Sequence, residues 1–344
     1  MSQIKTALLS FGMSGKVFHA PFIHLHKGFE LAGAWERSKK QIQEVYPLVR
    51  SYSSLESILA DDNIQLVIVN TPTNTHYEFA KAALLAGKDV VVEKAFTTTV
   101  TEAIELKEIA DTKGRKISVF QNRRWDSDFK TVQKIKRSGA LGDIVDAELR
   151  FERYKPLIGA KQHKEVPGPG AGLLNDLGPH LIDQALCLFG MPQSLFAQVR
   201  IIRENSLVDD WFEISLQYKR VNVRLRSSLM VCEQLPGFVL NGTKGTFIKK
   251  RADVQEVNLL AGMQPNTTDW GTEPEDDNGF LINGDDKIEE IKTEQGNYYD
   301  YYDAVYNAII YNKPMPVTAD DGINVMKILE AAVKSNDEKR VVSL

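Results

Sequence analysis

A carboxylate, a histidine and a second carboxylate recur at helical spacing in Asn175-Asp176-Leu177-Gly178-Pro179-His180-Leu181-Ile182-Asp183. Residues four apart lie on one face of a helix, so Asp176 and His180 can touch. An imidazole that a carboxylate orients and makes more basic is a common general base for taking a proton from an alcohol. Read alone, the pair serves equally well as a hydrogen-bonded core histidine beside a helix-start carboxylate. The rest of the chain must decide.

A second candidate lies at the opposite end. The apolar run Ile4 to Phe11 leads into Gly12-Met13-Ser14-Gly15, and a helix begins near Lys16. Strand, glycine turn and helix set backbone N–H groups and a helix N-terminus against a pyrophosphate. Ser10 stands where the first glycine of G-x-G-x-x-G belongs, while Gly12 and Gly15 hold the second and third places. Glu30 to Trp35 reads as the next strand. It ends in Glu36-Arg37-Ser38-Lys39, about 20 residues after the loop, where the adenosine ribose of a dinucleotide is read. Glu36 suits a free 2′-hydroxyl; Arg37 and Ser38 suit a 2′-phosphate. The reading favours NADP over NAD.

These residues need elements to carry them. Strand-like runs at Gln65–Asn70, Asp89–Val92 and Lys116–Gln121 alternate with helical periodicity ended by Gly87 and Gly114. Repeated βα units imply a parallel sheet with ligands at the carboxyl ends of its strands. Thr71, Pro72, Asn74, Glu93, Lys94, Gln121 and Asn122 fall at or just beyond such ends, with His76 close behind. His76, like His19, starts a helix near this edge and suits capping or packing as well as ligand contact. After Asn122 the pattern changes. A helix over about Asp126–Ser138 and a long strand Ile144–Tyr154 precede a Gly/Pro-rich loop and the Asp176/His180 segment. Strand-like runs from Leu195 to Lys249 then follow with few helices, which predicts a mostly antiparallel sheet. Residues 261–290 read as polar excursions. The expected architecture is α/β: an N-terminal Rossmann dinucleotide-binding domain over 1–122 and a C-terminal α+β domain over 123–344 with a large open sheet. If one face of that sheet is apolar and uncovered, it needs a partner, so a homodimer or homotetramer through the second domain is expected.

Length gives a prior of roughly two domains. Hydrophobic content of 43% and charged content of 26% fit a soluble globular protein rather than a disordered one. A net charge of −4 without a basic stripe argues against nucleic acid as a partner. No apolar run approaches the roughly 18 residues of a membrane span, and the first residues lack a signal-peptide layout. Cys187 and Cys232 sit in apolar surroundings without ligand spacing, which suggests reduced core residues in a cytoplasmic protein. No His/Cys/Glu cluster has metal spacing, so no metal is expected.

Three spaced markers together resemble the Gfo/Idh/MocA oxidoreductase family. They are the glycine loop before Lys16, the Glu93-Lys94 dipeptide, and the series Gly172, Asp176, Gly178, His180, Asp183. The resemblance spans essentially the whole chain. The stretches Gly12–Phe22 and Asn122–Phe129 look nearest to the branch holding bacterial NADP-dependent scyllo-inositol dehydrogenases. It implies that Lys94, Asp176 and His180 are catalytic. Ala95 departs from the pattern, because a proline usually follows Glu-Lys. A polyol or sugar substrate would find hydroxyl partners in Asn122, Arg123 and Asn175, and aromatic faces in Trp125 and Tyr154, although lone aromatics suit a core as well. The expected activity is hydride transfer between nicotinamide and a secondary alcohol or ketone of a cyclitol, sugar or related polyol. The rivals are a non-catalytic NADP-binding sensor on this fold and an NAD-using glycosidase of the same family.

Overall fold

The runs Leu66–Val69, Asp89–Glu93 and Ile117–Phe120 are almost continuously apolar because both faces of their sheet are covered, as parallel strands require. The computed structural model describes residues 3–36, 40–159, 162–252, 254–285 and 287–344. In it, six parallel strands form one sheet: β1 (Ile4–Leu8), β2 (Phe29–Trp35), β3 (Arg50–Tyr52), β4 (Leu66–Val69), β5 (Asp89–Glu93) and β6 (Ile117–Phe120). Their order is β3-β2-β1-β4-β5-β6. This is the doubly wound dinucleotide-binding order, with its switch point between β1 and β4. The helix Val100–Lys113 illustrates how local chemistry sets the boundaries. Thr99 and Glu102 close a capping box at its start, and Gly114 at φ 61° ends it.

The second sheet has nine strands: β7 (Ile144–Arg150), β8 (Ser194–Arg200), β9 (Trp211–Gln217), β10 (Asn222–Ser228), β11 (Phe238–Gly242), β12 (Gly245–Lys249), β13 (Gly279–Asn283), β14 (Ile288–Ile291) and β15 (Val342–Ser343). Their order is β14-β13-β12-β11-β7-β10-β9-β8-β15, and every pair is antiparallel except β7 with β10. Burial alternates along β8, β9 and β10. Phe212, Ile214, Leu216, Val223 and Leu225 are fully buried, and the helix Leu173–Phe189 packs on β7, β9 and β10.

Three expectations need correction. The other face of the large sheet is mixed rather than apolar, with Val239, Ile248 and Phe280 side by side on β11, β12 and β13. It also carries the ion pairs Arg150–Glu148 within β7, Arg224–Asp146 between β10 and β7, and Arg226–Glu152, so charged pairs cover part of the ground that apolar side chains were expected to hold. Residues 261–290 are not only excursions, since Gly279–Asn283 and Ile288–Ile291 pair as a hairpin on the sheet edge. The cysteines are exposed. Cys187 lies one turn beyond Asp183, with Sγ 4.0 Å from Asp183 Oδ2, so helical register turns it outward despite apolar neighbours in sequence.

The chain also crosses between its compact units more often than one boundary at 122 allows. The first unit is Met1–Asn122 with Gln255–Trp270 and Asn297–Ile323; the second is Arg123–Val254 with Gly271–Gly296 and Asn324–Leu344. Aromatic packing explains the return of 297–323 to the first unit. Tyr298, Tyr301 and Tyr302 are fully buried. Tyr301 meets Phe120 edge-on at 5.0 Å, and Tyr302 stacks on Phe22 at 5.5 Å between ring centres. Among the described residues no helix is long and apolar enough to cross a membrane.

Candidate active site

The glycine loop of the first unit is braced from the end of β4. Asn70 Oδ1 accepts the Ser10 N–H at 3.0 Å, and its amide nitrogen donates to Ser10 O at 2.8 Å. Ser10 Oγ accepts the Gly12 N–H at 3.1 Å, so the hydroxyl in the first glycine's place closes the turn. A Cβ on Gly15 would lie 2.4 Å from Ser10 O and 3.0 Å from Asn70 Nδ2. Only glycine fits there, the close approach that the third glycine of such a loop provides. The loop runs into a π-helical turn, Gly15–His19, and then the helix Ala20–Leu25. Met13 and Ser14 lie in the turn, with Met13 exposed and Ser14 Oγ donating to Asn70 O at 3.4 Å. Arg37 and Ser38 lie outside the described residues. Glu36 is committed elsewhere: its two carboxylate oxygens accept the N–H groups of Gln41 and Ile42, each at 3.0 Å, at the start of the helix Gln41–Val45.

The ends of β4 and β5 are tied together. Thr71 Oγ1 is 2.6 Å from Thr75 Oγ1, and Pro72 and Asn74 are exposed beside it. His76 is fully buried between two carbonyl oxygens, Thr71 O and Ala95 O, each 2.8 Å from a ring nitrogen. Burial pushes its imidazole pKa down, against both carbonyls and Glu93. The expected cofactor contact by His76 is therefore corrected: its ring joins two strand-end loops and offers no surface. Gln121 and Asn122 are also buried, with 2% and 5% exposure.

Glu93 ends β5 and Lys94 follows it, and the Lys94–Ala95 peptide is cis although Ala95 is not a proline. His19 Nε2 lies 3.0 Å from Glu93 Oε1, and His19 Nδ1 lies 2.8 Å from Tyr302 Oη. Tyr302 donates its own proton to Phe18 O at 2.7 Å. Its oxygen must therefore accept from His19 Nδ1–H, and one proton lies between Nε2 and Glu93. Burial opposes ionisation of Glu93, but His19, Lys94 and His76 outweigh it and hold its carboxyl below the usual range. The Glu93 carboxylate also accepts the Lys94 N–H at 3.2 Å.

In the second unit, the helix Leu173–Phe189 carries Asp176, His180 and Asp183 on successive turns. Its start is held from outside. Gly172, at φ 86°, leaves no room for a side chain against Asp209. Asp209 O accepts the Leu173 N–H at 2.8 Å, and Asp209 Oδ2 accepts that of Leu174 at 2.6 Å. Burial pushes the Asp209 carboxyl up to about 6 despite these donors. Asp176 takes a hydrogen bond from Lys164 Nζ at 2.5 Å. His180 is 5% exposed. Asp183 is gripped by the Arg124 fork, Nε to Oδ2 at 2.8 Å and Nη2 to Oδ1 at 2.6 Å.

The expected substrate residues divide. Asn175 donates to Ala171 O at 2.8 Å, on the helix's first turn. Trp125 is partly exposed at the end of the turn Asn122–Trp125. Arg123 is 5% exposed, pairs with Asp126 at 3.2 Å and lies over the Phe151 ring. Tyr154 is exposed, next to Cys232, which raises its phenol pKa. Sequence reasoning missed Asn70, Tyr302, Lys164 and Asp209. A polar residue ending an apolar strand beside a glycine loop signals Asn70. Nothing local signals the other three, whose partners are 12 to 283 residues away.

Comparison with known proteins bears on this arrangement. Residues 4–121 match the NAD-binding Rossmann fold of an oxidoreductase family, GFO_IDH_MocA, and residues 134–344 match that family's C-terminal alpha/beta domain. The chain is 39% identical over 344 residues to the scyllo-inositol 2-dehydrogenase (NADP(+)) IolW of Bacillus subtilis, covering 99% of this chain and 96% of that protein. It is 40% identical to the uncharacterized oxidoreductase C115.03 of Schizosaccharomyces pombe, with both chains covered in full. The solved structure of yvaA from Bacillus subtilis superposes with a TM-score of 0.96 at 38% identity, covering 100% of this chain and 99% of that one.

Proposed function

Because the chain belongs to the Gfo/Idh/MocA oxidoreductase family, we propose that it moves a hydride between NADP and a secondary alcohol or ketone of a cyclitol, sugar or related polyol. The observation that carries this reading is the full-length similarity to a protein named as an NADP-dependent scyllo-inositol 2-dehydrogenase. The residues present fit a dinucleotide. The Gly12–Gly15 turn is braced by Ser10 and Asn70, and at Gly15 a side chain would strike Ser10 O. The engagement of Glu36 with two helix-start N–H groups supports NADP, because a free 2′-hydroxyl would have to share that carboxylate with them.

When bound, the nicotinamide supplies the hydride chemistry. In the oxidative direction His180 takes the hydroxyl proton, with Asp176 one turn earlier on its helix face supporting the imidazolium. The role that the resemblance gives Lys94 is to offset negative charge as it develops in the transition state. The buried His19–Glu93 pair anchors the backbone at the end of β5 that presents Lys94. A homo-oligomer formed through the large sheet and a small-molecule polyol or sugar substrate complete the proposal.

The test is a panel of inositols and sugars assayed with NADP and NAD by the absorbance of the reduced nicotinamide. Turnover of a polyol with NADP preferred is expected. Activity on none of them, or cofactor retained without net reduction during glycoside cleavage, would overturn the reading.

A further inference from the structure

We propose that Lys164 is a positioning residue of this site, holding Asp176 by a direct ion pair and thereby lowering the pH at which His180 loses its proton. The inference rests on the roles given above to Asp176 and His180. Lys164 Nζ lies 2.5 Å from Asp176 Oδ1, and the two side chains are 37% and 20% exposed, so the contact is sheltered on the carboxylate side.

The loop that delivers Lys164 is fixed from within. Lys164 belongs to the short helix Gln162–Glu165, and its carbonyl accepts the Gly172 N–H at 3.3 Å, directly before the helix that bears Asp176. The next residue, Glu165, accepts from Arg203 Nη2 at 2.8 Å and from the Gly159 N–H at 3.0 Å. Burial opposes ionisation of Glu165, yet Arg203 outweighs it and holds the carboxyl below its usual range. Arg203 is 4% exposed. Its Nε donates to Asp210 Oδ2 at 3.0 Å and its Nη1 to Leu157 O at 3.2 Å, while Asp210 also accepts the N–H groups of Ile202 and Arg203. One buried guanidinium thus holds Leu157 and Glu165, and Glu165 directly follows Lys164.

The charges around the pair then determine the direction of the effect. Asp183, one turn beyond His180, is neutralised by the Arg124 fork. Glu165, Arg203 and Asp210 bond to one another. Asp209 faces the first amides of the helix. Lys164 is the cation on Asp176 itself. A carboxylate near an imidazole favours its protonated form, and a cation on that carboxylate offsets the effect. Lys164 therefore keeps His180 deprotonated, and so able to accept a proton, to lower pH than Asp176 alone would allow.

The experiment is an NMR titration of the His180 ring in the full-length protein, its signal identified by its loss in His180→Ala. Lys164→Met should raise the titration midpoint by about 0.5–1 pH unit, the size expected of one partly solvated charge a few ångströms further off. Lys164→Arg should restore it. With Asp176→Asn already present, adding Lys164→Met should change little. An unmoved or lowered midpoint in Lys164→Met, with the fold confirmed by circular dichroism, would overturn the inference. The titration needs no turnover, so it separates this inference from the proposed reaction. A raised midpoint in a protein that oxidises no polyol would keep Lys164 as the positioning group and discard the substrate.

Discussion

Replacing His19 with alanine removes one partner of a buried pair and leaves the other in place. The ring is fully buried, and the Glu93 side chain is 12% exposed. In the wild type, Glu93 titrates below the usual carboxyl range because His19, Lys94 and His76 together outweigh its burial. Removing one partner of such a pair costs roughly 3–5 kcal/mol, since the remaining charge stays buried. Lys94 and His76 still act on Glu93, so the expected loss is near the lower end, about 3 kcal/mol at neutral pH. The pH dependence has a definite sign. With its folded pKa depressed, wild-type Glu93 contributes stability above its unfolded pKa and loses it as pH falls through the folded value. Without His19, burial prevails and the folded pKa moves up, so the contribution is lost as pH rises. The penalty should therefore grow from about pH 4 to about pH 7. Because the chain has two compact units, one global unfolding energy is ill-defined. Native-state hydrogen exchange at the β5 and β6 amides reads the first unit by itself. A penalty below about 1 kcal/mol, or one equal at both ends of the range, would refute the reasoning.

Other consequences are equally open to measurement. Asp209 has its carboxyl raised to about 6, so it contributes stability at low pH that is lost as pH rises through that value; Asp209→Asn should gain in melting temperature relative to wild type between about pH 4 and 6, and a constant difference would contradict this. Glu36→Ala should destabilise the helix Gln41–Val45 without shifting preference toward NADP, whereas Arg37→Ala should raise KM for NADP about tenfold or more, the loss of a charge-assisted contact. If Glu36→Ala instead abolishes a wild-type preference for NAD, the carboxylate reads the ribose. Light scattering should show a homodimer or homotetramer, and a monomer at working concentration would remove the large sheet from consideration as an interface.

Much of this was legible from periodicity and from glycines. The apolar runs at Leu66–Val69 and Asp89–Glu93 read as buried strands because parallel sheets leave no polar face. Gly87 and Gly114 marked helix ends, as their φ values of 75° and 61° require. The Asp176–His180 spacing placed both residues on one helix. What escaped has a common cause: it depends on partners distant in sequence. Nothing near His19 announces Tyr302, which reaches it only because 297–323 folds back onto the first unit. The hairpin Gly279–Asn283 and Ile288–Ile291 hid in a polar stretch because edge strands with one solvated face lack an apolar signature. The engagement of Arg123 by Asp126 and the Phe151 ring was likewise hidden, because Phe151 lies 28 residues further along the chain. Cys187 looked buried because its neighbours are, but one position on a helix turns a side chain by about 100°.

The central claim is that His180 takes the proton while a polyol is oxidised. It is tested most directly by kcat of His180→Ala on the best substrate of the panel, with NADP affinity measured separately by fluorescence titration. The expected result is a fall of about 10²–10⁴-fold in kcat, with NADP affinity nearly unchanged and the wild-type rise of turnover with pH flattened. Turnover within about threefold of wild type in the folded variant, far short of a general base's contribution, would contradict the account and leave His180 as a residue of the core.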